Sequence, residues 1–109
     1  MIVRVWHGWT SPADADAYEA LLRTEIFRGI AARAIPGYLG IELFRREGSD
    51  DVEFVTLMRF ASLDAVRSFA GDSYETAVVP PRARELLSRF DTQSAHYEVR
   101  EVASALDRP

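Results

Sequence analysis

Residues 38–60 read YLGIELFRREGSDDVEFVTLMRF, two runs rich in β-branched and aromatic residues on either side of a short polar stretch. This composition predicts strands over residues 38–46 and 52–60, with a turn at residues 47–50. A connection this short joins antiparallel neighbours, whereas a parallel pair needs a crossover of about a dozen residues or more. The stretch therefore argues against two tandem βαβ units of a parallel sheet.

One strand and one helix precede this hairpin. Residues 2–9 contain β-branched and aromatic side chains and are predicted to form the first strand. Ser11 can cap a helix, and Pro12 suits its first position, where no backbone N–H is needed. The apolar stripe of this helix, at helical spacing, is Tyr18, Leu21, Leu22 and Ile26. Pro36 and Gly37 then end the segment.

Two helices and a last strand follow the hairpin. Ser62 can cap a helix whose apolar face is Leu63, Val66, Phe69 and Ala70. Pro80 and Pro81 start a short helix whose buried side is Leu86, Leu87 and Phe90. Residues 94–102 are predicted to be the last strand, and residues 103–109 a frayed tail. The order β-α-β-β-α-β indicates an α+β, ferredoxin-like domain over residues 1–102, a four-stranded antiparallel sheet with helices on one face.

Composition and charge set limits on function. The chain has 109 residues, enough for one domain, and no cysteine, which excludes disulfides, thiolate metal sites and cysteine nucleophiles. A net charge of -4 argues against a nucleic-acid partner, which usually meets a basic face. We find neither a membrane span nor a signal peptide in the pattern and expect a cytoplasmic protein. The two histidines lack metal-ligand spacing, so no metal site is expected.

Side chains alternate along a strand, so each predicted strand carries two sets. One set is almost entirely aliphatic: Val3, Val5, Leu39, Ile41, Leu43, Val55, Leu57, Ala95 and Val99. The other set mixes aromatic, polar and charged groups: Arg4, Trp6, Tyr38, Glu42, Phe44, Phe54, Thr56, Met58, His96, Glu98 and Arg100. We expect the aliphatic set to lie under the helices. The mixed set is too apolar for a face left in water, and we expect a second copy of the sheet to cover it in a homodimer.

Several of these residues together carry a resemblance to a known family. Beside the order of the elements, the features that carry it are Pro36-Gly37-Tyr38 before the second strand, the strand from Glu53 to Phe60 running into Ser62-Leu63-Asp64, Tyr74, and His96-Tyr97-Glu98-Val99. Over residues 2–101 the chain resembles the antibiotic-biosynthesis monooxygenase domain, a branch of the dimeric α+β barrel proteins. Members include cofactor-independent oxygenases of polyketide phenols, haem-degrading enzymes and proteins of unknown activity.

The resemblance implies a site in a cleft between the sheet and the helices. The haem-degrading branch uses an Asn on the first strand, a Trp and a His, and the latter two positions fall at Phe69 and near Val78 or Val79. The whole chain contains no asparagine. The resemblance therefore argues against haem degradation here, and no cofactor is expected.

Seven residues are candidates for the site. His96 and His7 are candidate general bases, since a histidine pKa lies near neutral pH. A structural role for each histidine, at an interface or at a strand end, is the alternative. The candidate substrate-binding residues are Arg4, Trp6, Phe69, Tyr74 and Tyr97. Arg4 could hold an enolate or phenolate oxygen, although we expect it to pair with Glu98 or Glu42 across the sheet. Tyr97 is expected to point into the helix-covered cleft, and Tyr74 to lie at its rim.

The resemblance favours one function and leaves two others open. The leading hypothesis is a cofactor-independent monooxygenase that acts on a small aromatic or polyketide-like phenol or enol. The second is a protein of the same fold that binds or scavenges a small hydrophobic ligand without chemistry. A third is an isomerase or cyclase, because barrel relatives also move protons without O₂.

Overall fold

The computed structural model describes residues 1–106 of the chain. The strands are β1 (Ile2–Thr10), β2 (Tyr38–Glu47), β3 (Val52–Phe60), β4 (Leu87–Phe90) and β5 (Ala95–Glu98). The helices are α1 (Ala15–Leu21), a π-helical segment (Leu22–Ile26), α2 (Phe27–Ala32), α3 (Leu63–Ala70) and α4 (Pro81–Leu86). The α+β class, the antiparallel sheet and the helices on one face are confirmed.

The sheet is antiparallel throughout, in the order β2-β3-β1-β4, and β5 pairs with the same edge of β1 as β4 does. Gly8 lies opposite Phe90, and Arg4 lies opposite His96. The single last strand of the prediction is thus two short strands. Leu87 and Phe90, expected on a helix face, belong to β4, because the helix ends at Leu86 and the chain then pairs with the open edge of β1.

The first helical region runs without a break from α1 through the π-helical segment into α2, because each element starts at the residue after the last one ends. Tyr18, Leu21 and Leu22 are buried and pack in one core cluster with Val52 and Phe54 of β3. The predicted stripe is therefore the buried side of α1. No residue of α2 is buried, so the region packs less closely as it leaves the sheet.

A second core cluster lies under α3. The Oγ atom of Ser62 accepts a hydrogen bond from the backbone N–H of Ala65 at 3.2 Å, which is the predicted cap. Val66 and Phe69 pack there against Phe60 of β3. The two clusters lie beside each other on one face of the sheet.

The predicted assignment of the sheet faces is wrong for β1, β3 and β5. Arg4 of β1 and Phe54 and Met58 of β3 are buried on the helix side, whereas the aliphatic Val3 and Val55 are on the other face. The physical reason is that both sets contain large apolar side chains, so polarity could not separate the faces. The mixed set holds the larger rings, which fill the space under the helices.

In β2 a register shift between Tyr38 and Gly40 changes the alternation. Gly40 adopts a φ of 144°, a conformation that favours glycine. Because of this shift, Tyr38 and Ile41 both lie opposite helix-facing residues of β3. Two residues from different predicted sets therefore share one face.

The face of the sheet away from the helices, called the open face here, carries Val3, Val5, Val55 and Leu57. Three larger side chains there or at its margin are exposed, Phe44 by 45%, Leu39 by 54% and Tyr97 by 57%. This apolar surface is the opposite of the one that the sequence indicated.

Residues 101–104 form neither helix nor strand, and all of residues 101–106 are exposed. Of the predicted tail, residues 107–109 lie outside the described part of the chain. The domain boundary at residue 102 stays a prediction. Within residues 1–106, no helix has the length and apolar character needed to cross a membrane.

We expect Gly37→Ala to destabilise the protein. Gly37 has a φ of +84°, and an added Cβ would lie 2.8 Å from the Cβ of Ala65 in α3. The combined strain and contact should lower the free energy of unfolding by about 1–3 kcal/mol, measured by urea denaturation.

The matched control is Gly29→Ala in α2, where an added Cβ meets nothing within 4 Å. This variant should raise the free energy of unfolding by about 0.5–1 kcal/mol. Equal effects of the two substitutions would contradict the structural interpretation.

Candidate functional site

A cleft lies between the helix-facing side of the sheet and the first helical region, with a volume of about 70 Å³. Most of its wall is apolar and comes from several elements: Leu22, Ile26, Phe27, Ile30, Ile41, Met58, Phe69, Val78, Val79, Pro80 and Ala83. The polar and aromatic remainder is Arg4, Trp6, Tyr18, Thr56 and Ser94. A volume of this size holds a few water molecules, so a ring-shaped ligand must displace side chains at the rim.

The π-helical segment forms part of the helical side of this cleft. Leu22 is buried against the core, whereas Ile26 is only half-buried and Phe27 follows it into α2. π-helical turns recur at functional sites, since the extra residue per turn redirects side chains. Here the segment turns Ile26, Phe27 and Ile30 toward the cleft while leaving α2 without a buried residue.

Arg4 is the charged group of the cleft and is only 3% exposed. Its guanidinium donates to the carbonyl oxygens of Tyr74 and Thr76, the latter at 3.1 Å, and to Nε2 of His96 at 3.0 Å. Burial lowers the Arg4 pKa to about 10, so the group still carries its charge at neutral pH.

The expected ion pair of Arg4 with Glu98 or Glu42 is not formed. Glu98 pairs with Arg100 at 3.6 Å, and Glu42 pairs with Arg59. Glu42 lies opposite Leu57 on the open face, whereas Arg4 is buried on the helix side, and Glu98 is exposed at the end of β5.

Trp6 lies on the same side of β1 as Arg4 and lines the cleft. Its ring passes over Gly8, where an added Cβ would lie 2.6 Å from the ring. The indole N–H donates to the backbone carbonyl of Asp91 at 2.8 Å. Gly8 and Asp91 thus fix the plane of the Trp6 ring.

Phe69 of α3 lies between two arginines. The guanidinium carbon of Arg4 is 5.5 Å from the ring centre, and that of Arg33 is 5.3 Å from it. Arg33 donates to the backbone carbonyls of Ser68 and Phe69, each at 3.2 Å, and is not among the residues that line the cleft. Of the two arginines, Arg4 therefore lines the cleft and Arg33 does not.

His96 and Tyr74 lie behind Arg4 rather than in the wall of the cleft. Their rings meet edge to face with centres 5.1 Å apart. Because an arginine can only donate, Nε2 of His96 must be the acceptor and the neutral ring carries its proton on Nδ1. Burial, followed by the charge of Arg4, lowers the pKa of His96, against an opposite effect of Glu75.

His7 and Tyr97 belong to the open face. Nδ1 of His7 lies 2.8 Å from a carboxylate oxygen of Glu53, and its ring stacks on Trp9 at 6.1 Å between centres. Tyr97 is 57% exposed opposite Val3, so the expectation that it points into the cleft is wrong. The inverted face assignment accounts for that error.

Sequence reasoning missed three polar liners, Tyr18, Thr56 and Ser94. Burial strongly raises the pKa of Tyr18, which keeps the phenol neutral. The helical stripe indicated only that Tyr18 is buried, and no local signal marks Thr56 or Ser94 as cleft residues. Among residues 1–106, no group of three or more histidines and acids is placed to hold a metal ion.

The cleft can therefore enclose an apolar ring and present one guanidinium and a few hydroxyls to its polar edge. None of its liners is a histidine, aspartate or glutamate. The imidazole of His96 contacts one of the lining residues, Arg4, from outside the cleft.

We expect the His96 imidazole to titrate below its ordinary pKa of about 6.5. Since protonation would place a second cation against Arg4, the folded protein resists it, and stability falls as the pH drops below about 6.5. NMR titration of the ring protons measures this directly. Arg4→Gln should move the His96 pKa upward, and an unchanged value would contradict the assigned contact.

Comparisons with known proteins come from structure alone. No family model matches the sequence, and no curated protein matches it significantly. A Bacillus cereus structure named as an antibiotic-biosynthesis monooxygenase aligns over 95% of this chain and 97% of its own, with 14% identity and a TM-score of 0.68.

Two further structures share the fold. A cofactor-independent oxygenase from Streptomyces nogalater aligns over 93% of this chain and 95% of its own, with 21% identity and a TM-score of 0.53. A haem degrader from Mycobacterium tuberculosis with two haems in its active site aligns over 95% and 100%, with 18% identity and a TM-score of 0.58. The resemblance is thus confirmed at the level of the fold: the chain has the architecture of antibiotic-biosynthesis monooxygenase-type proteins.

Proposed function

We propose that this protein is a cofactor-independent monooxygenase-like enzyme that acts on a small aromatic or polyketide-like phenol or enol in the cleft. The observation that carries the proposal is an apolar cleft with one buried cation, in a fold that includes such an oxygenase. Oxygenases without a cofactor need a substrate that is itself electron-rich and a site that excludes water.

In this proposal, Trp6 and Phe69 pack against the rings of the substrate, as their position in the cleft wall supports. The ionised phenol or enol is the electron donor, and O₂ is the oxidant. A ring CH₂ becomes C=O, one oxygen atom enters the product and the other leaves as water, so that R–CH₂–R and O₂ give R–CO–R and H₂O. The protein supplies orientation and stabilisation of the anion.

The predicted base nearest the cleft is His96, whose Nε2 accepts from Arg4 behind the cleft wall, so it would have to release Arg4 before it could take a proton from the substrate. A base role for His7 rests on its residue type alone, because it lies on the open face beside Glu53. Both assignments stay predictions. The two histidines serve as matched probes, since they sit on opposite faces of the same sheet.

We further propose that the protein is a cytoplasmic homodimer that buries the open face. Half-buried Val5, Val55 and Leu57 form an apolar surface there, with exposed Phe44 beside it. Apolar patches of this kind on a monomer mark an interaction site. A two-fold arrangement of the same surface on two copies would cover it.

A ligand-binding role without chemistry is the second candidate. The observation that favours it is the lining itself, which contains no histidine or carboxylate. Binding of phenols or quinols with no oxygen uptake at any pH would favour this role over the oxygenase.

Haem degradation has less support. Haem iron takes an axial ligand such as histidine, and no histidine lines the cleft. The positions that the resemblance assigns to the Trp and the His hold Phe69 and Val78 or Val79 in the cleft wall. A Soret band that saturates at one haem per chain would instead support a haem-binding role.

We expect Thr56→Phe to lower oxygenase activity by filling the cleft. Thr56 lines it on β3, opposite Trp6 in the register. Oxygen uptake with anthrone, which carries the ring CH₂ that the proposed step oxidises, should fall about tenfold to 100-fold. Thr56→Val, which keeps the shape and removes only the hydroxyl, is the control and should retain most of the rate.

The same assay tests the bases. His96→Ala should lower the rate and His7→Ala should not. If both variants keep full activity, the assignment of the base is wrong, although the cleft could still be the site.

We expect Leu57→Glu to convert a dimer to a monomer, since it places a charge in the middle of the open face. Light scattering after size-exclusion chromatography should give a mass near one chain for the variant and near two for the wild type. Ser49→Glu, in the exposed turn between β2 and β3, is the control and should leave the mass unchanged. A wild-type mass near one chain at micromolar concentration would contradict the dimer.

A further inference from the structure

Arg4 is a buried cation whose charge has no counter-ion in the described chain. None of the carboxylates of residues 1–106 forms an ion pair with it, although acids pair with seven other arginines. Its partners are two backbone carbonyls and a neutral imidazole. Buried charges are usually paired, since removing an ion from water is costly. Among residues 1–106, Arg4 is the one charged residue that is buried, and it has no acidic partner.

The Arg4 guanidinium also has N–H groups for which residues 1–106 provide no acceptor. An arginine has five N–H groups, and the described bonds of Arg4 use three of them, which leaves two. No residue among 1–106 accepts a hydrogen bond from Nε of Arg4. Because no buried side-chain nitrogen or oxygen of these residues lacks a partner, Nε is accessible from outside the core. The cleft is the opening that Arg4 lines.

The surroundings of Arg4 hold it in place without neutralising it. The Tyr74 and Thr76 carbonyls orient the guanidinium from one side, and the Phe69 ring lies 5.5 Å from its central carbon. Such an orientation is set before a ligand arrives, which lowers the cost of binding. The rest of the wall is largely apolar, so a ligand anion would meet no competing acceptor from a carboxylate.

We propose that the cleft binds its ligand as a planar oxyanion, a carboxylate or an ionised phenol or enol, whose oxygens accept from Arg4 while its ring packs against Trp6 and Phe69. This inference rests on the proposed function only in taking the cleft as the ligand site. It assigns the substrate class by charge: an acidic aromatic molecule binds, and its neutral isostere is discriminated against.

The discrimination has a direct physical cause. A neutral ligand would displace water from the cation and leave it without a compensating charge, whereas an oxyanion restores both hydrogen bonds and charge. Charge-assisted hydrogen bonds of this kind correspond to a preference of about 10-fold to 100-fold in the dissociation constant.

The test compares benzoate with benzamide, which have nearly the same shape and differ in charge. Titration followed by backbone and Trp6 indole NMR shifts gives both dissociation constants for the wild-type protein. We expect benzoate to bind at least about tenfold more tightly. Equal affinities of the wild-type protein for benzoate and benzamide would overturn the proposal. This test does not depend on whether any variant folds.

A second arm separates the two sources of the oxyanion. 4-Nitrophenol reports its own ionisation by colour, and an anion site should lower the pH at which the bound molecule ionises. A shift for 4-nitrophenol together with the benzoate preference assigns any planar oxyanion. The benzoate preference without a 4-nitrophenol shift assigns carboxylates alone.

Substitutions of Arg4 test whether its charge causes the preference for benzoate. Arg4→Gln should remove the preference for benzoate, whereas Arg4→Lys should retain part of it. Arg33→Gln is the matched control, because it removes an exposed charge on the other side of the same Phe69 ring. A loss of preference in the Arg33 variant equal to that in the Arg4 variant would assign the effect to general electrostatics and overturn the proposal. Oxygen uptake is not part of this test, so a protein without oxygenase activity can still bear out the anion site.

Discussion

The pairing of β1 along both of its edges is the constraint on which the rest of the molecule depends. Nine residues from Ile2 to Thr10 pair with β3 on one side, while β4 and β5 divide the other side between them. Each side chain of β1 therefore has one fixed face. Because Arg4 and Trp6 share a face, both lie under the helices, and the cleft forms where the first helical region does not close over them.

The cleft combines a well-packed floor with a loosely packed cover. Buried Phe54 and Met58 of β3 support the floor, whereas α2 contributes no buried residue and only half-buried side chains reach the cleft. Rigid strands hold binding groups in position, and weakly packed segments give way to a ligand. A small cavity in the closed arrangement is therefore compatible with a larger ligand once Ile26 and Phe27 move.

Arg4 connects three parts of the structure through one side chain. Its bonds to the Tyr74 and Thr76 carbonyls attach the loop before α4 to the sheet, and its contact with His96 attaches β5 to the same point. A methylene stem that packs in the core, with a head that finds carbonyl acceptors, lets an arginine be buried without an acid. The charge that remains uncompensated is what distinguishes this cleft from an ordinary apolar gap.

The sequence by itself determined the hairpin at residues 38–60, the Ser62 cap and the order of the elements up to the last strand, because periodicity and turn chemistry are local. The place of the cleft between sheet and helices was implied by the resemblance to a family. The sequence also identified Arg4, Trp6 and Phe69, which line the cleft. Only the tertiary structure decided which face of the sheet the helices cover, since both faces are apolar and a shift at Gly40 moves one strand out of alternation. For this reason Tyr97 and His7 lie outside the cleft, and Arg4 does not pair with the acids expected from the sequence. Burial and neighbours depend on contacts that no local pattern encodes.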